Sequence, residues 1–317
     1  MDFIKTYLEV TMSVLVAITG RDNTKLIAQL QARLPSTKIQ QWPDCNNLET
    51  IDFVLAWKAP HDMWTKLPNL KAVSSFGAGV DSIDLNLLGD DVDVVRIVDE
   101  KLAQDMAEYV LTHVLAQKLR LKEYFIKQTQ HQWKPKRAYQ QNNVGILGFG
   151  ELGKACAKRL IANNFTVNAW AHTHKTSNTV NLFYGEQGLQ NMLSNIDYLV
   201  CLLPLTKKTK GIINKSTISM LPNHAVIINV ARGEHVIEAD LLKALEENSL
   251  RAAVIDVFEH EPLSKEHPYW QHDKITLTPH CAALSDINSV SAQIAENVER
   301  LQQGITLNNR IDRMKGY

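Results

Sequence analysis

Three ionisable residues in the last third of the chain could together reduce a carbonyl: Arg232, Glu261 and His280. Each follows a short apolar run. Ile227-Ile228-Asn229-Val230 precedes the arginine, Ile255-Asp256-Val257 the acid, and Leu277-Thr278-Pro279 the histidine. If the runs are parallel strands, the three side chains stand past their carboxyl ends, where open α/β sheets bind ligands. Hydride addition to a 2-oxo acid builds negative charge on the carbonyl oxygen. A guanidinium can fork onto the carboxylate and carbonyl oxygens, and an imidazolium can supply the proton. A carboxylate beside the imidazole would orient it and keep it protonated near neutral pH. Taken singly, the residues have duller readings: a surface cation, a turn acid before Pro262, one of eleven histidines.

Hydride must come from somewhere, and Val144-Gly145-Ile146-Leu147-Gly148-Phe149-Gly150-Glu151-Leu152-Gly153-Lys154 reads as a strand, a glycine turn and a helix start. A bare G-x-G-x-x-G is weak; after a buried-type strand and at a helix start it gains meaning. Gly148 permits the tight turn, Gly150 lets backbone approach a pyrophosphate, and Gly153 allows close helix–strand packing. The expected ligand is a dinucleotide. An acid near the end of the second strand would select NAD. That strand instead ends Asn168-Ala169-Trp170-Ala171-His172-Thr173-His174-Lys175, and no Asp or Glu occurs between Glu151 and Glu186. A 2′-phosphate would meet no repelling charge there and could find Thr173, Lys175 and two imidazoles. The sequence therefore predicts NADP(H), with NADPH preferred over NADH. A phosphate beside His172 or His174 would favour the imidazolium form, so the preference is expected to weaken from about pH 6 to 8.

The elements that must hold these groups can be read from periodicity. With 317 residues the chain is long enough for two domains. Ser13–Ile18, Asp52–Trp57 and Leu70–Phe76 are strand runs, Asn23–Leu34 has helical spacing, and Gly77-Ala78-Gly79 breaks the pattern with a turn. A long helix is expected over Ala103–Gln128, with Met106, Val110, Val114, Leu121 and Phe125 on one stripe. A polar connection follows from His131 to Asn143. The second series has strands at Val144–Leu147, Thr166–Trp170, Tyr198–Leu203, Ala225–Val230, Ala252–Val257 and Ile275–Thr278, with helices at Glu151–Ala162 and Glu238–Glu247. Short, fully apolar strands between helices imply a parallel sheet covered on both faces. The helix Asp286–Gln303 would carry the chain back to its first domain. The expected fold is α/β, with two Rossmann-like, doubly wound parallel domains. Residues 1–105 plus 288–317 form a substrate-binding domain, into which a dinucleotide-binding domain, 106–287, is inserted.

Bulk composition narrows the partners. Lys plus Arg and Asp plus Glu are both 34, a balance that argues against nucleic acid or a polybasic membrane surface. No run approaches the ~20 apolar residues of a membrane span. The four cysteines, at 45, 156, 201 and 281, have no metal-like spacing, so no metal is expected and a reducing cytoplasm is. Cys281 beside His280 is read as a bystander rather than a nucleophile. Residues 1–11 read as an extension before the first strand, or as an upstream start in place of Met12.

Over essentially all its length the sequence resembles the D-isomer-specific 2-hydroxyacid dehydrogenases. The matching segments are Gly148–Gly153, Asn229-Val230-Ala231-Arg232-Gly233, Asp256-Val257-Phe258-Glu259-His260-Glu261-Pro262-Leu263 and Thr278-Pro279-His280. Phe76-Gly77-Ala78-Gly79-Val80-Asp81-Ser82-Ile83, Tyr269-Trp270-Gln271-His272 and Ile311-Asp312-Arg313-Met314-Lys315-Gly316-Tyr317 are similar to its glyoxylate/hydroxypyruvate reductase A branch. The resemblance implies NADPH-preferring reduction of glyoxylate to glycolate and of hydroxypyruvate to glycerate. It further implies that Phe76, Gly77, Ala78 and Gly79 offer backbone N–H groups to the substrate carboxylate. Trp57 would wall the substrate pocket or simply fill core. Leu203, Pro204, Val230 and Ala231 would line the dinucleotide, and Asp256 would bind the nicotinamide carboxamide. A homodimer formed through the cofactor domain and the long helix is implied too. Closure on binding is expected on separate grounds, because a site between two domains must exclude water from the hydride path. One departure is that related reductases carry arginines where His172 and His174 stand. The nearest alternatives are D-lactate or 2-oxoisocaproate enzymes of the same family; a dinucleotide-sensing interaction protein is the alternative from another class.

Overall fold

The computed structural model describes residues 12–317. Residues 1–11, where the expected extension falls, lie outside the described residues. The chain divides into two compact units: residues 12–99 with Ser285–Tyr317, and Glu100–Leu284. The sequence puts these divisions at 105/106 and 287/288. In the structure the first long helix enters the second unit whole from its first residue, Glu100, and the chain rejoins the first unit at Ser285.

In the first unit, β1 (Ser13–Ile18), α1 (Thr24–Arg33), β2 (Lys38–Gln41), β3 (Ile51–Trp57), β4 (Ala72–Ser75) and β5 (Asp93–Val95) follow in order. The strands are all parallel, in the order β2-β1-β3-β4-β5. Alternate side chains of one strand leave on opposite faces, so β1 feeds two cores. Val14 and Val16 join Leu26, Leu30, Phe53 and Leu55, while Leu15 and Ala17 join Val54, Met63 and Val73. That double burial is why β1 and β3 read as unbroken apolar runs.

The second unit begins with α2 (Glu100–Lys118) and α3 (Leu121–Thr129). It continues with β6 (Asn143–Leu147), α4 (Glu151–Ile161), β7 (Thr166–Ala171), β8 (Asn181–Tyr184), α5 (Gly185–Leu193) and β9 (Tyr198–Cys201). It closes with α6 (Lys215–Ile218), β10 (Val226–Asn229), α7 (Glu238–Glu246), β11 (Ala252–Ile255) and β12 (Ile275–Leu277). Its seven parallel strands run β12-β11-β10-β9-β6-β7-β8. The winding reverses between β6 and β9, the kind of switch point at which doubly wound sheets open a crevice. Finally α8 (Ile287–Gln302), capped where Asp286 Oδ1 accepts the Ser289 N–H at 3.0 Å, packs on α1 in the first unit.

The single helix expected over Ala103–Gln128 is two. Arg120 sits in the left-handed region at φ 62°, its guanidinium 3.6 Å from the Tyr139 ring centroid and 2.8 Å from Glu123. These contacts hold the kink, and beyond it the expected stripe fails. Met106, Val110 and Val114 are buried, but Leu121 and Phe125 are exposed. The sequence also missed β2, β5 and β8, short strands at or next to sheet edges. At the chain's end, the Arg313 guanidinium donates to the carbonyls of Leu85, Leu88, Gly89 and Val92. The C-terminal motif noted in the sequence is thus a structural clamp on the first unit.

Candidate active site

All seven strands of the second unit are parallel, so their carboxyl ends share one edge. Arg232 follows β10, Glu261 follows β11, His280 follows β12, and the glycine turn follows β6. The imidazole Nδ1 of His280 lies 3.0 and 2.9 Å from the two oxygens of Glu261. Glu261 Oε1 is held in turn by the Phe258 N–H at 3.1 Å. The histidine side chain is 35% exposed and the acid 21%, so the pair is shielded yet reachable. With Nδ1 engaged, Nε2 is the ring atom left to carry a transferable proton.

His280 adopts φ 52°, a backbone conformation costly for a residue with a side chain. Asp256 imposes it. Its carbonyl accepts the His280 N–H at 2.8 Å, Oδ1 accepts Thr278 Oγ1–H at 2.6 Å and Cys281 N–H at 2.9 Å, and Oδ2 accepts Ala282 N–H at 3.0 Å. The Asp256 side chain is almost fully buried. What its geometry displays is an anchor for the loop that aims His280. Tyr109 of α2 extends the network through its hydroxyl bond to Thr278 Oγ1. Burial, then the nearby Asp256, push the Cys281 thiol upward in pKa, which disfavours the thiolate a nucleophile needs.

Arg232 is half-buried, and its Nη1 donates to the Ala231 carbonyl at 2.6 Å. Its loop is fixed by Asn229 and Gly233, which the matching segment contains but to which the sequence assigned no role. Asn229, fully buried, donates from Nδ2 to the Arg232 carbonyl at 2.8 Å and accepts the Ala231 N–H at 3.2 Å. Gly233 lies under the segment leading to Glu261: a Cβ there would stand 2.0 Å from the Phe258 carbonyl carbon and 2.2 Å from Glu259 N. The glycine of the Arg232 segment is therefore demanded by the packing of the Glu261 segment.

At the glycine turn, a Cβ on Gly148 (φ 101°) would come within 2.7 Å of Leu202 O, and one on Gly153 within 2.1 Å of Gly148 O. Gly150 is different: a Cβ there would meet nothing within 4 Å. No protein atom requires that glycine, so the open space is the cradle a ligand's phosphates would need, at the start of α4. Glu151 pairs with Lys154 at 2.9 Å, Phe149 is buried and Leu152 half-buried. Lys175 donates to the Phe149 carbonyl at 2.7 Å, and burial, then Lys154, lower its pKa. Ala171 is buried at the end of β7; His172, Thr173 and His174 are exposed, with His174 edge-on to Tyr184 at 5.0 Å. Leu203, Val230 and Ala231 are buried, and Pro204 is half-buried. The set fits a dinucleotide.

In the first unit, Phe76 N–H is bonded to Ala56 O at 3.0 Å and Gly77 N–H to Ser75 Oγ at 3.2 Å. Of the four expected donors, those two are spent inside the unit, which leaves the turn's offer to Ala78 and Gly79. Ser75 was missed by the sequence, as was Arg21, whose guanidinium lies 4.6 Å from the Phe76 ring centroid. Trp57 is half-buried against Gly77, where an added Cβ would come 3.2 Å from its Cζ3. Among the described residues no three His, Cys, Asp or Glu side chains form a metal-binding group.

Residues 111–282 match the family model described as the NAD binding domain of D-isomer specific 2-hydroxyacid dehydrogenases. Together with the relatives below, that match places the chain in this family of oxidoreductases. It is 38% identical over 299 residues to glyoxylate/hydroxypyruvate reductase A of Serratia proteamaculans, covering 92% of this chain and 95% of that one. Among solved structures, a family member from Xanthobacter autotrophicus in complex with NADPH and MES matches at TM-score 0.90 and 33% identity, over 97% of this chain and all of that one. The NADPH-dependent glyoxylate/hydroxypyruvate reductase of Sinorhizobium meliloti, in complex with NADP and sulfate, matches at 0.89 and 32%, over the same shares.

Proposed function

We propose that this chain reduces small 2-oxo acids with NADPH, glyoxylate to glycolate and hydroxypyruvate to D-glycerate. The observation that carries the reading is the His280–Glu261 pair, held on the same sheet edge as Arg232 and the open turn at Gly150. When bound, the dinucleotide supplies the hydride. Gly148, Gly150 and Gly153, with the backbone of Phe149, Glu151 and Leu152, hold its pyrophosphate. Leu203, Pro204, Val230 and Ala231 line it, and Asp256 adds the carboxamide contact to its loop-anchoring bonds. Ala171, His172, Thr173 and Lys175 receive the 2′-phosphate. Arg232 grips the acid's carboxylate and polarises its carbonyl. A guanidinium has five N–H donors, so its bond to Ala231 is compatible with that grip. Glu261 orients His280, whose Nε2–H protonates the carbonyl oxygen as charge develops. Within the first unit, the groups assigned to the substrate are the Ala78–Gly79 amides, as carboxylate donors, and Trp57, as a wall that keeps it small. In this scheme residues 12–99 with Ser285–Tyr317 are the substrate-binding domain and Glu100–Leu284 the dinucleotide-binding domain. The names and bound ligands of the relatives from Serratia and Sinorhizobium support the choice of substrates and cofactor.

Steady-state kinetics across glyoxylate, hydroxypyruvate, pyruvate and 2-oxoisocaproate, with NADPH and NADH compared, tests the reading. The highest kcat/KM is expected for the first two acids with NADPH. A maximum with 2-oxoisocaproate or pyruvate would move the chain to another branch, and no turnover would end the proposal.

The proposed working form is a cytoplasmic homodimer. Leu119, Phe125 and Trp133 are 47%, 62% and 97% exposed, apolar side chains before, on and after α3 that a second copy would cover. Among the described residues no helix is long and apolar enough to cross a membrane, and all four cysteines are free thiols.

A further inference from the structure

We infer that His235 is a positioning residue for this reaction: its imidazole locks the peptide of Arg232 and ties it to the loop bearing Leu203 and Pro204. The inference rests on the reading of Arg232 as the substrate's cation. His235 is fully buried, yet every polar atom of its ring meets backbone of a functional loop. Nδ1 lies 3.2 Å from both the nitrogen and the carbonyl oxygen of Arg232, and Nε2 lies 3.4 Å from the Pro204 carbonyl. In the neutral form with the proton on Nε2, Nδ1 accepts the Arg232 N–H. In the charged form Nδ1–H donates to the Arg232 carbonyl. Either state keeps a bond to the same peptide.

The surroundings make the clamp rigid. The His235 carbonyl accepts the Ile213 N–H at 2.9 Å, so its own backbone is pinned to a neighbouring segment. Asn229 grips the Arg232 carbonyl from the strand side, and Gly233 is wedged under Phe258 and Glu259. Of these supports, His235 is the one whose side chain also reaches the Pro204 loop. Besides these two loops the ring also faces Cys201 at the end of β9. A fixed arginine backbone leaves only side-chain torsions to order when the acid arrives, which is how supporting contacts preserve a reactive geometry. The glycine turn makes none of these bonds, so losing the clamp should weaken dinucleotide binding, through the Pro204 loop, less than it weakens the hold of Arg232 on the acid.

Two variants test this: His235→Phe keeps the ring volume and deletes the hydrogen bonds, and His235→Gln restores a donor and an acceptor. The phenylalanine variant is expected to raise KM for glyoxylate and lower kcat/KM by roughly ten- to hundredfold. The NADPH dissociation constant, read by fluorescence, should rise by less than about fivefold, and the glutamine variant should recover part of the loss. Amide exchange in a peptide spanning residues 230–234 should quicken in His235→Phe while the rest of the unit keeps its protection. A wild-type KM in His235→Phe, unchanged exchange at Arg232, or a fall in NADPH affinity as large as the loss in kcat/KM would each overturn the role. No turnover of any 2-oxo acid by the unmodified protein would sink the functional reading on which the role rests. Quickened exchange in the same experiment would then locate the error in the substrate assignment and not in the clamp.

Discussion

The proton delivery proposed for His280 requires an oriented ring, and the orientation comes from two sources. Glu261 holds Nδ1 with both oxygens, and Asp256 holds the loop in a left-handed turn. His280→Gln should therefore lower kcat by about 10²–10⁴-fold while NADPH affinity changes little; single-turnover rates and a binding titration separate the two. Arg232→Ala should raise KM and lower kcat together if, as proposed, the cation serves both ground-state grip and carbonyl polarisation. Gly150→Ala offers a cleaner discrimination. With no protein atom within 4 Å of the new Cβ, melting should stay near wild type while the dinucleotide binds at least about tenfold more weakly. The placement of Arg232, Glu261 and His280 after β10, β11 and β12 was legible in the sequence because each follows a short apolar run. Asn229, His235 and Ser75 were not legible. Their partners are backbone groups of loops, and no residue type announces that in advance.

Elements matter here mainly through what they press against one another. The Arg232 and Glu261 segments meet at Gly233, where a Cβ would stand 2.0 Å from backbone of the other segment. Gly233→Ala should cost about 3 kcal/mol or more, as overpacking against an unyielding neighbour does, with activity lost in step; thermal melting and glyoxylate turnover check it. The same view explains which elements the sequence revealed. Central strands such as β1, β3, β6 and β10 are apolar because helices cover both faces, so their runs stood out. β2 contains Lys38 and Gln41 and β8 contains Asn181, because edge strands retain a solvated side. The break between α2 and α3 was invisible for a different reason. Leu121 and Phe125 continue a helical stripe but face solvent, so periodicity alone cannot say what a stripe packs on.

Charge and association belong to the whole molecule. Burial lowers the pKa of His113, against the pull of Asp256. The unfolded chain then binds more protons there than the native one, so stability is lost as pH falls below the unfolded value of about 6.5. His235 has the opposite sign. Burial opposes its charge, but Cys201 and the Pro204 and Arg232 carbonyls outweigh that and raise its pKa. Its contribution is present in acid and lost as pH rises through the folded value. Melting curves between pH 5 and 8 should show His113→Phe losing less than wild type on acidification; an unchanged slope would remove His113 from the balance. If the stretch from Leu119 to Trp133 buries against a second copy, Phe125→Ser with Trp133→Ser should shift sedimentation from dimer to monomer. The route of the chain carries a final implication for its birth on the ribosome. Val290, Ile294 and Val298 of α8 complete the apolar layer begun by Val14, Leu26 and Leu30, and they are translated only after every residue of the inserted unit. The first-made strands must therefore wait, part of their apolar surface uncovered, while the later-made unit can already mature. A nascent chain stalled just before Ser285 should be a stronger client for holding chaperones than one released with α8 in place.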